Sequence, residues 1–300
     1  MNPEVLKIAD MRIAESTQEL RAMMDGFRLE SGAGRRKSVA LVPTMGCLHE
    51  GHARLIREAR ALAQVVVVSI YVNPLQFGPN EDFTRYPRSF DADVALCAEA
   101  GADVIFHPGN LYPEGGPKIS LTVRELGGVL CGASRPGHFD GVATVVNILF
   151  NVVQPSVAVF GEKDWQQLAI IIRMTADLHM PVEIVGVSTV REEGGLAMSS
   201  RNRYLNDAER NRAASLSAAL HAMQSLAVAG VRDAVSLIAA GHGVLNDAGI
   251  EPEYLEIRDA GSLRLLQTLS EVPARIFVAA RVGPARLIDN MPLNIAMENV

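Results

Sequence analysis

Two histidines, His49 and His52, have types and spacing that could do chemistry, and they lie in the segment PTMGCLHEGH at positions 43–52. Histidines three positions apart in a turn can point the same way, so both could hydrogen-bond one phosphate chain and donate protons to it. Two other interpretations stay open. The pair could be ordinary turn and N-cap residues, or could bind zinc, although the metalloprotease pattern requires histidines four apart on an established helix.

The elements around this segment predict how the histidines are positioned. An apolar, β-branched run at residues 38–42 is typical of a buried strand, and residues 51–63 show apolar side chains at helical spacing. Strand, glycine-bearing turn and helix in this order open the nucleotide sites of α/β proteins at a helix N-terminus. We therefore expect the free amides of that first helical turn to attract phosphate.

Alternating strand and helix patterns continue to residue 187 and predict a parallel sheet covered by helices. Strands are predicted at residues 65–72, 103–106, 156–160 and 182–187, and helices at 16–27, 89–100, 142–153 and up to 178. The predicted fold class is α/β, a Rossmann-like doubly wound sheet, in which loops at the carboxyl ends of the strands hold ligands.

Several loops in this region carry groups suited to a ligand. The loop after the strand at 65–72 holds Asn73 and Gln76 among turn-forming residues, and residues 161–168 form a second strand-turn-helix junction with glycine and cationic groups. Arg135 precedes the helix at 142–153, where it could clamp a phosphate or pair with a surface carboxylate.

The character of the sequence changes after residue 188 and predicts a smaller α+β domain. Gly194 and Gly195 could act as a hinge that lets Ser199, Ser200 and Arg201 close over phosphates. Helices at 207–229 and 231–245 are followed by strands at 252–258, 274–282 and 286–289. We therefore predict two domains, residues 1–188 and 189–300, of which the second is a lid that carries the Met-Ser-Ser-Arg loop.

Length and composition limit the classes of function. The chain has 300 residues and a formal net charge of -6, with a pI near 5.7, so it lacks the basic excess with which proteins bind nucleic acids or membrane surfaces. Its three cysteines are widely spaced and frame neither disulfides nor a zinc site. We find no signal peptide and no apolar run of about eighteen residues. These features predict small-molecule partners and a cytoplasmic location.

Several motifs together resemble the pantothenate synthetases, a family of pantoate–β-alanine ligases in the nucleotidyltransferase superfamily with a HIGH-type first motif. The matching segments span most of the chain in order, at residues 43–52, 73–77, 81–88, 134–141, 161–168, 198–202 and 286–290. The pairing of GEKDWQQ with MSSRN is more specific than the histidine segment. The chain departs from the family pattern at Gly194, where an acid is usual, and at Trp165, where a smaller aromatic is usual. Cys47 fills a position that varies.

The resemblance implies an AMP-forming ligase that works in two steps. Pantoate displaces pyrophosphate from ATP to form pantoyl adenylate, and the amine of β-alanine then displaces AMP to give pantothenate. The resemblance also implies a homodimer, a first domain that binds nucleotide and pantoate, and Mg²⁺ carried by ATP without named protein ligands. The helix at 142–153 is apolar on nearly all sides, so it could be buried within one subunit or across a two-fold axis.

Each matching residue can be given a part in this reaction on chemical grounds that the resemblance supports. The catalytic set consists of His49, His52 as the family's proton donor, Lys163, Ser199, Ser200 and Arg201, all acting on the phosphates. Gln76 and Gln167 bind the hydroxyls and carboxylate of pantoate, and Asn73 and Arg135 are also assigned to the substrate. Asp164 accepts from ribose hydroxyls, and Val190 resembles the family's adenine-contacting position. The whole set expected to bind ATP is Met45, Gly46, Cys47, Leu48, His49, Glu50, Gly51, His52, Gly161, Glu162, Lys163, Asp164, Val190, Met198, Ser199, Ser200 and Arg201.

Two rival functions remain at this point. A nucleotidyltransferase could act on another small acid or stop at transfer to a phosphate ester, but the ester would need extra cationic clamps that Asn73 and Gln76 do not offer. A nucleotide-binding regulator without catalysis would have no use for intact His49, His52 and Lys163.

Overall fold

The computed structural model describes residues 11–29, 37–79, 81–270 and 272–293. Contacts divide this part of the chain into two compact units. The first extends to Glu162 and resumes over Ile170–Ser188, and the second comprises Lys163–Ala169 and the chain from Thr189 onward. This division differs from the predicted boundary at residue 188 because residues 163–169 cluster with the second unit. The lid role of residues 189–300 stays a prediction.

In the described part of the first unit, six parallel strands form one sheet, which confirms the predicted α/β class. In chain order the strands are β1 (Arg12–Ala14), β2 (Val39–Thr44), β3 (Val65–Ile70), β4 (Val104–Phe106), β5 (Val157–Gly161) and β6 (Glu183–Val187). Their spatial order is β1-β4-β3-β2-β5-β6. Strand β1 is not predicted from the sequence, since three residues are too few to show a strand pattern.

Helices connect and cover these strands. They are α1 (Thr17–Leu29), α2 (Glu50–Leu62), α3 (Phe90–Ala100), α4 (Leu130–Ser134), α5 (His138–Val153) and α6 (Trp165–Asp177). Every residue of β3 is buried, as its run of valines predicts for a parallel strand covered on both faces. Helix α2 packs on β2, β3 and β5 and joins their buried side chains through Ala53, Ile56 and Ala59.

The strand order places a topological switch point between β2 and β5. From β2 the chain continues to β3 on one side, and later it returns to β5 on the other side of β2. Ligands of open α/β sheets bind outside the carboxyl ends of strands at such a point. The segment with His49 and His52 follows the carboxyl end of β2, and Gly161 ends β5. The fold therefore positions the first junction as the sequence pattern predicts.

Helix α5 is a core element of a single chain. Eleven of its sixteen residues are buried, and Leu149 has only 2% of its surface exposed. Of the two interpretations left open for this helix, burial within one subunit is the one observed. The helix also begins at His138, four residues before the predicted start.

The second unit has the predicted α+β composition. Its helices and strands are α7 (Asp207–Ala213), α8 (Ser215–Val228), α9 (Ala234–Asp247), β7 (Pro252–Asp259), β8 (Ala274–Val282) and β9 (Ala285–Leu293). The three strands form an antiparallel sheet in the order β7-β8-β9. Its core joins Leu220 and Met223 of α8 to Leu237 of α9 and to Ile276 and Val278 of β8. The region predicted as one helix over 207–229 is two helices, separated at residue 214.

Within the residues described, no helix combines the length and the hydropathy needed to cross a membrane.

Candidate active site

His49 and His52 are held by a capping box at the start of α2. His49 is the N-cap residue, and its Nδ1 accepts a hydrogen bond from the amide of Gly51 at 3.1 Å. The Nδ1 of His52 accepts one from the amide of His49 at 3.3 Å. Because an amide can only donate, the proton of each neutral imidazole must sit on Nε2. The N-cap interpretation is therefore correct for the geometry, and that geometry makes both Nε2 atoms donors.

The amides that precede the histidines are already engaged by the protein. Those of Cys47 and Leu48 donate to Oδ2 (2.9 Å) and Oδ1 (2.8 Å) of Asp93, near the start of α3. The amide of Gly46 donates to the Thr44 hydroxyl at 3.2 Å. These three residues precede the first helical turn, so the expectation that the free amides of that turn attract phosphate stays a prediction, while their own donors face Asp93 and Thr44. Their assignment as ATP contacts stays a prediction.

Asp93 fixes an unusual backbone conformation. Gly46 and Cys47 both have positive φ angles, 80° and 51°, and successive residues of this kind can turn consecutive amides toward one acceptor. A Cβ on Gly46 would lie 3.0 Å from both Asp93 Oδ2 and Ile70 Cγ2, so glycine is required there. Asp93 is only 2% exposed, and its Oδ1 also accepts from the Ser89 hydroxyl at 3.1 Å.

Gln76 lies in a short 3₁₀ turn, Pro74–Gln76, after β3, and Asn73 holds its side chain. The Asn73 amide nitrogen donates to Gln76 Oε1 (3.1 Å) and to the Gly141 carbonyl (3.0 Å). Asn73 Oδ1 accepts from the Leu75 amide (3.2 Å) and from the Tyr112 hydroxyl (2.7 Å). These four bonds use the full hydrogen-bonding capacity of an asparagine side chain, which favours a supporting role for Asn73.

The Gln76 side chain also meets the histidine segment. Its Nε2 lies 2.8 Å from the sulfur of Met45, so the loops after β2 and β3 come together in the first unit. Burial raises the pKa of Tyr112, which keeps its hydroxyl protonated as a donor. A Cβ on Gly141 would lie 2.3 Å from the Leu75 carbonyl oxygen, so glycine at this position lets α5 approach the turn.

Arg135 pairs with Glu81 and supports the backbone of Gln76. Its Nε and Nη2 donate to the two carboxylate oxygens of Glu81 at 2.6 and 2.5 Å. Nη2 also donates to the Gln76 carbonyl at 3.2 Å, and His138 Nδ1 donates to the same oxygen at 2.8 Å. Carboxylate pairing is thus the alternative observed for Arg135. Burial acts to raise the pKa of Glu81, but the hydrogen bonds and charge of Arg135 outweigh it and lower that pKa.

In the second unit, Lys163 and Asp164 stand just before α6. The Lys163 Nζ lies 3.5 Å from Asp164 Oδ1. Asp164 is exposed, and Gln167, in the first turn of α6, is partly buried. The Lys163 carbonyl accepts a hydrogen bond from Asn290 Nδ2 at 2.8 Å. The structure therefore fixes the backbone of Lys163 through a residue far along the chain.

The predicted hinge loop is a hydrogen-bonded hairpin. The Met198 amide donates to the Val190 carbonyl (2.9 Å), and the Glu192 amide donates to the Leu196 carbonyl (2.8 Å). Gly195, near the tip, has a φ of 90°. The hinge motion itself stays a prediction. Next along the chain, Ser199 caps the 3₁₀ turn Ser200–Tyr204, and its hydroxyl accepts from the Arg201 amide at 3.3 Å.

Sequence reasoning missed the residues that position the others. They are Asp93, Tyr112, His138, Asp289 and Asn290. His138 and the last two lie inside the motifs that carry the family resemblance, so a role for them could have been sought there. Asp93 is one of two acids in the first turn of α3, and Tyr112 lies in a loop rich in proline and glycine. Nothing in their local sequence distinguishes them.

In the part of the chain that the structure describes, no group of three or more His, Cys, Asp or Glu side chains is arranged to hold a metal ion. All three cysteines are buried. Burial, with a contribution from Asp93, raises the pKa of Cys97 to about 12, so this thiol stays protonated.

Sequence comparison gives consistent matches over nearly the whole chain. A family model described as pantoate-beta-alanine ligase matches residues 12–292. The pantothenate synthetase of Myxococcus xanthus is 50% identical over 298 residues, which cover 98% of this chain and 97% of that protein. The pantothenate synthetase of Magnetococcus marinus is 49% identical, with 93% of this chain and 96% of that protein covered.

Comparison with solved structures also finds pantothenate synthetases. The pantothenate synthetase from Thermus thermophilus matches with a TM-score of 0.88 at 46% identity, covering 94% of this chain and 99% of that chain. A pantoate-beta-alanine ligase from Francisella tularensis, complexed with beta-gamma ATP and β-alanine, has a TM-score of 0.77 at 31% identity. That match covers 95% of this chain and 99% of the other.

Proposed function

Because the chain belongs to the pantoate–β-alanine ligase family, and is therefore an ATP-using ligase that joins pantoate to β-alanine, we propose that the side chains of the candidate active site carry out that reaction. The chain is an enzyme of pantothenate biosynthesis, so the regulator alternative does not apply. Each of the two steps can be assigned to particular residues.

The first step activates the acid. A carboxylate oxygen of pantoate attacks the α-phosphorus of ATP, the bond to the bridging oxygen breaks, and its electrons leave with pyrophosphate. Negative charge therefore grows on the leaving group, and catalysis consists of donors held where that charge develops. In the second step the amine of β-alanine attacks the acyl carbon, AMP leaves with the bonding electrons, and the amine loses a proton.

The observation that carries the proposal is the capping box of His49 and His52. Backbone amides occupy both Nδ1 atoms, so each ring is set to donate from Nε2 without first gaining a proton. Protonation of either Nδ1 would place a hydrogen against an amide hydrogen and break the cap. We assign both Nε2–H groups to the phosphates as hydrogen-bond donors that stabilise the charge growing on the leaving pyrophosphate and keep their protons, with His52 in the donor position that the family resemblance implies.

The pantoate contacts are assigned to two amide side chains. Gln76 and Gln167 bind the hydroxyls and carboxylate of pantoate, since neutral amides can do so without competing with its charge. Asn73 and Arg135 act on pantoate indirectly. The Asn73 side chain donates to Gln76 and to the Gly141 carbonyl, and Arg135 donates to the Gln76 carbonyl.

The second unit supplies further phosphate contacts. Lys163, a compact cation, neutralises charge on the triphosphate, and Ser199, Ser200 and Arg201 grip the same phosphates. Asp164 accepts from the ribose hydroxyls, and Val190 contacts adenine. Mg²⁺ enters as part of the substrate, because triphosphate oxygens and water supply the coordination it prefers.

Two broader assignments rest on family resemblance and composition. We assign the enzyme to the cytoplasm, which suits its three buried thiols. We also assign it a homodimeric state, with an interface that does not involve the buried Leu149. Sedimentation at micromolar concentration tests the second assignment, and a monomer would contradict it.

Mass spectrometry of the products tests the function in both steps. With ATP and pantoate alone, we expect pyrophosphate and a species with the mass of pantoyl adenylate. Adding β-alanine should convert that species into pantothenate and AMP. A phosphate ester as the product, or pyrophosphate release that does not depend on pantoate, would contradict the proposal.

A further inference from the structure

The motif at residues 286–290 ends in two buried residues on β9 to which the reaction assigns no part. Asp289 is 3% exposed and Asn290 is 5% exposed. Neighbouring residues of a strand point to opposite faces of the sheet. Each of the two makes strong hydrogen bonds to a segment that the proposed function assigns to ATP.

Asp289 holds the base of the hairpin at residues 190–198. Its carboxylate accepts from Arg191 Nη1 at 2.6 Å and from Nη2 at 3.1 Å, a bidentate pair with fixed geometry. Arg191 Nη1 also donates to the Gly195 carbonyl at 3.1 Å, so the same cation spans the hairpin. Arg191 directly follows Val190, and the other strand of the hairpin leads into Ser199. Asp289 thereby fixes where this loop starts and how it turns.

Asn290 holds the Lys163 segment. Its Nδ2 donates to the Lys163 carbonyl at 2.8 Å, and its Oδ1 accepts from Arg275 Nη1 at 2.6 Å. The Arg275 guanidinium lies 3.4 Å from the centre of the Trp165 ring, a cation–π contact with a buried cation. Trp165 Nε1 in turn donates to the Ala260 carbonyl at 2.8 Å. Lys163 and Trp165 are thus fastened to the sheet of the second unit at two points.

We propose that Asp289 and Asn290 are positioning residues that hold the loop of Ser199–Arg201 and the Lys163 segment in register for one triphosphate. The proposal rests on the proposed function, in which both segments contact ATP. The two residues share one peptide bond, and the Asn290 amide donates to Asp289 Oδ1 at 2.8 Å, so neither can shift without the other. Adenylation depends on such register, since a misplacement of about 1 Å can cost about 10²-fold in rate.

Asn290→Asp is the sharpest test of the Lys163 branch. The aspartate keeps the size of the side chain and the contact with Arg275, but it replaces the donor to the Lys163 carbonyl by an acceptor. We expect pantoate-dependent exchange of pyrophosphate into ATP to fall by about 10- to 100-fold, with a larger rise in the KM for ATP than in the KM for pantoate. Arg286→Gln is the matched control. Arg286 lies on the same strand as Asn290, and its ion pair is with Glu253 of β7, so its loss should leave exchange unchanged.

A double-mutant cycle separates positioning from general damage. If Asn290 acts through the Lys163 side chain, Asn290→Asp should slow exchange little further in an enzyme that already carries Lys163→Ala. Equal factors with and without Lys163→Ala would overturn the inference while leaving the assigned role of Lys163 intact. A normal exchange rate in Lys163→Ala alone would instead show that the proposed function is wrong at Lys163, and the inference would fall with it.

The Asp289 branch provides an independent cycle that does not need an Asn290 variant to fold. Asp289→Asn should raise the KM for ATP, and the effect should largely disappear when Arg191→Met has already removed the guanidinium. Additive effects of the two changes, or a loss confined to the KM for pantoate, would overturn this branch.

Discussion

Replacing Asp93 by asparagine should weaken the loop that precedes His49 and His52. The change alters no side chain that is assigned to ATP. In the native loop, two consecutive amides, those of Cys47 and Leu48, donate to opposite oxygens of the Asp93 carboxylate. An asparagine amide can accept on one side only. In either orientation of the asparagine side chain, one of the two loop amides will face its NH₂ group. The Ser89 hydroxyl can donate or accept, so it can adjust to either orientation.

The magnitude follows from these contacts. A hydrogen bond to a charged group contributes about 1.5–3 kcal/mol, and a neutral one about 1 kcal/mol. Losing one of the two amide bonds and weakening the other should therefore cost about 2–4 kcal/mol in the free energy of unfolding or of local loop opening. Because each 1.4 kcal/mol or so is a factor of ten in population, a loss expressed locally should lower the adenylation rate by roughly ten-fold or more.

The assay combines pantoate-dependent pyrophosphate release with denaturant unfolding. Asp91→Asn is the matched control, because Asp91 lies in the same first turn of α3 and is exposed. It removes the same charge and helix-dipole interaction, which contributes about 0.3–1 kcal/mol, but it touches no loop amide. If Asp93→Asn and Asp91→Asn have the same stability and rate, the Asp93 carboxylate does not hold the amides of Cys47 and Leu48 in place.

Four further predictions address other parts of the molecule. His49→Ala and His52→Ala should each lower the adenylation rate by about 10²-fold or more. His52→Gln should retain more activity than His52→Asn, because the amide nitrogen of glutamine falls near the position of Nε2. Gln76→Ala should raise the KM for pantoate with much less effect on ATP, since an amide lost from a buried site costs roughly 1–3 kcal/mol. Glu81→Gln should make the free energy of unfolding fall less steeply as pH decreases. Folding lowers the pKa of Glu81, so its carboxylate stabilises the native state above the unfolded pKa. That contribution is lost as pH falls through the folded pKa. Leu149→Asp should unfold the chain, because Leu149 is 2% exposed and a charge there would be buried and unpaired.

Each of these has a result that would count against it. Near-normal rates in both histidine variants would reduce the pair to a helix cap. A larger effect of Gln76→Ala on ATP would mean that the turn after β3 is assigned to the wrong substrate. If the free energies of unfolding of wild type and Glu81→Gln fall in parallel between about pH 6 and pH 3, folding does not lower the pKa of Glu81. A folded monomer of Leu149→Asp, seen by sedimentation and circular dichroism, would place that helix at an interface after all.

Elements with a strong local pattern could be predicted from the sequence. The valine run of β3 and the helical spacing of α2 each lie within one window of the chain, and periodicity reports the burial of such segments directly. The third strand of the second unit is predicted only in part, since β9 runs over Ala285–Leu293 while the pattern indicates residues 286–289. β1 pairs through three residues with β4, and so short a strand leaves no period to detect.

Residues that could act chemically are also visible in the sequence, because imidazole, ammonium and amide groups at strand ends are rare enough to suggest a site. Their supports are not visible. Asp93 is 46 residues from Cys47, the Asn73 amide reaches Gly141 over 68 residues, and Asn290 reaches Lys163 over 127. In each case the supported group is a backbone amide or carbonyl, which every residue type except proline presents in the same form. No residue identity at the supported position points to its partner.

Residue 47 shows why backbone and side chain have to be considered separately. The Cys47 side chain is fully buried, and a φ of 51° is costly for any residue with a Cβ, about 1–2 kcal/mol. The Asp93 carboxylate offsets that cost, because this conformation directs two successive amides at it. The side chain at residue 47 therefore needs only to fit its space, whereas its amide is required. The tolerance of this position to substitution should therefore depend on an intact Asp93. When a larger side chain replaces Cys47, two hydrogen bonds still hold the loop in wild type, but only one holds it in Asp93→Asn. The two changes together should therefore lower the free energy of unfolding by more than the sum of their separate effects.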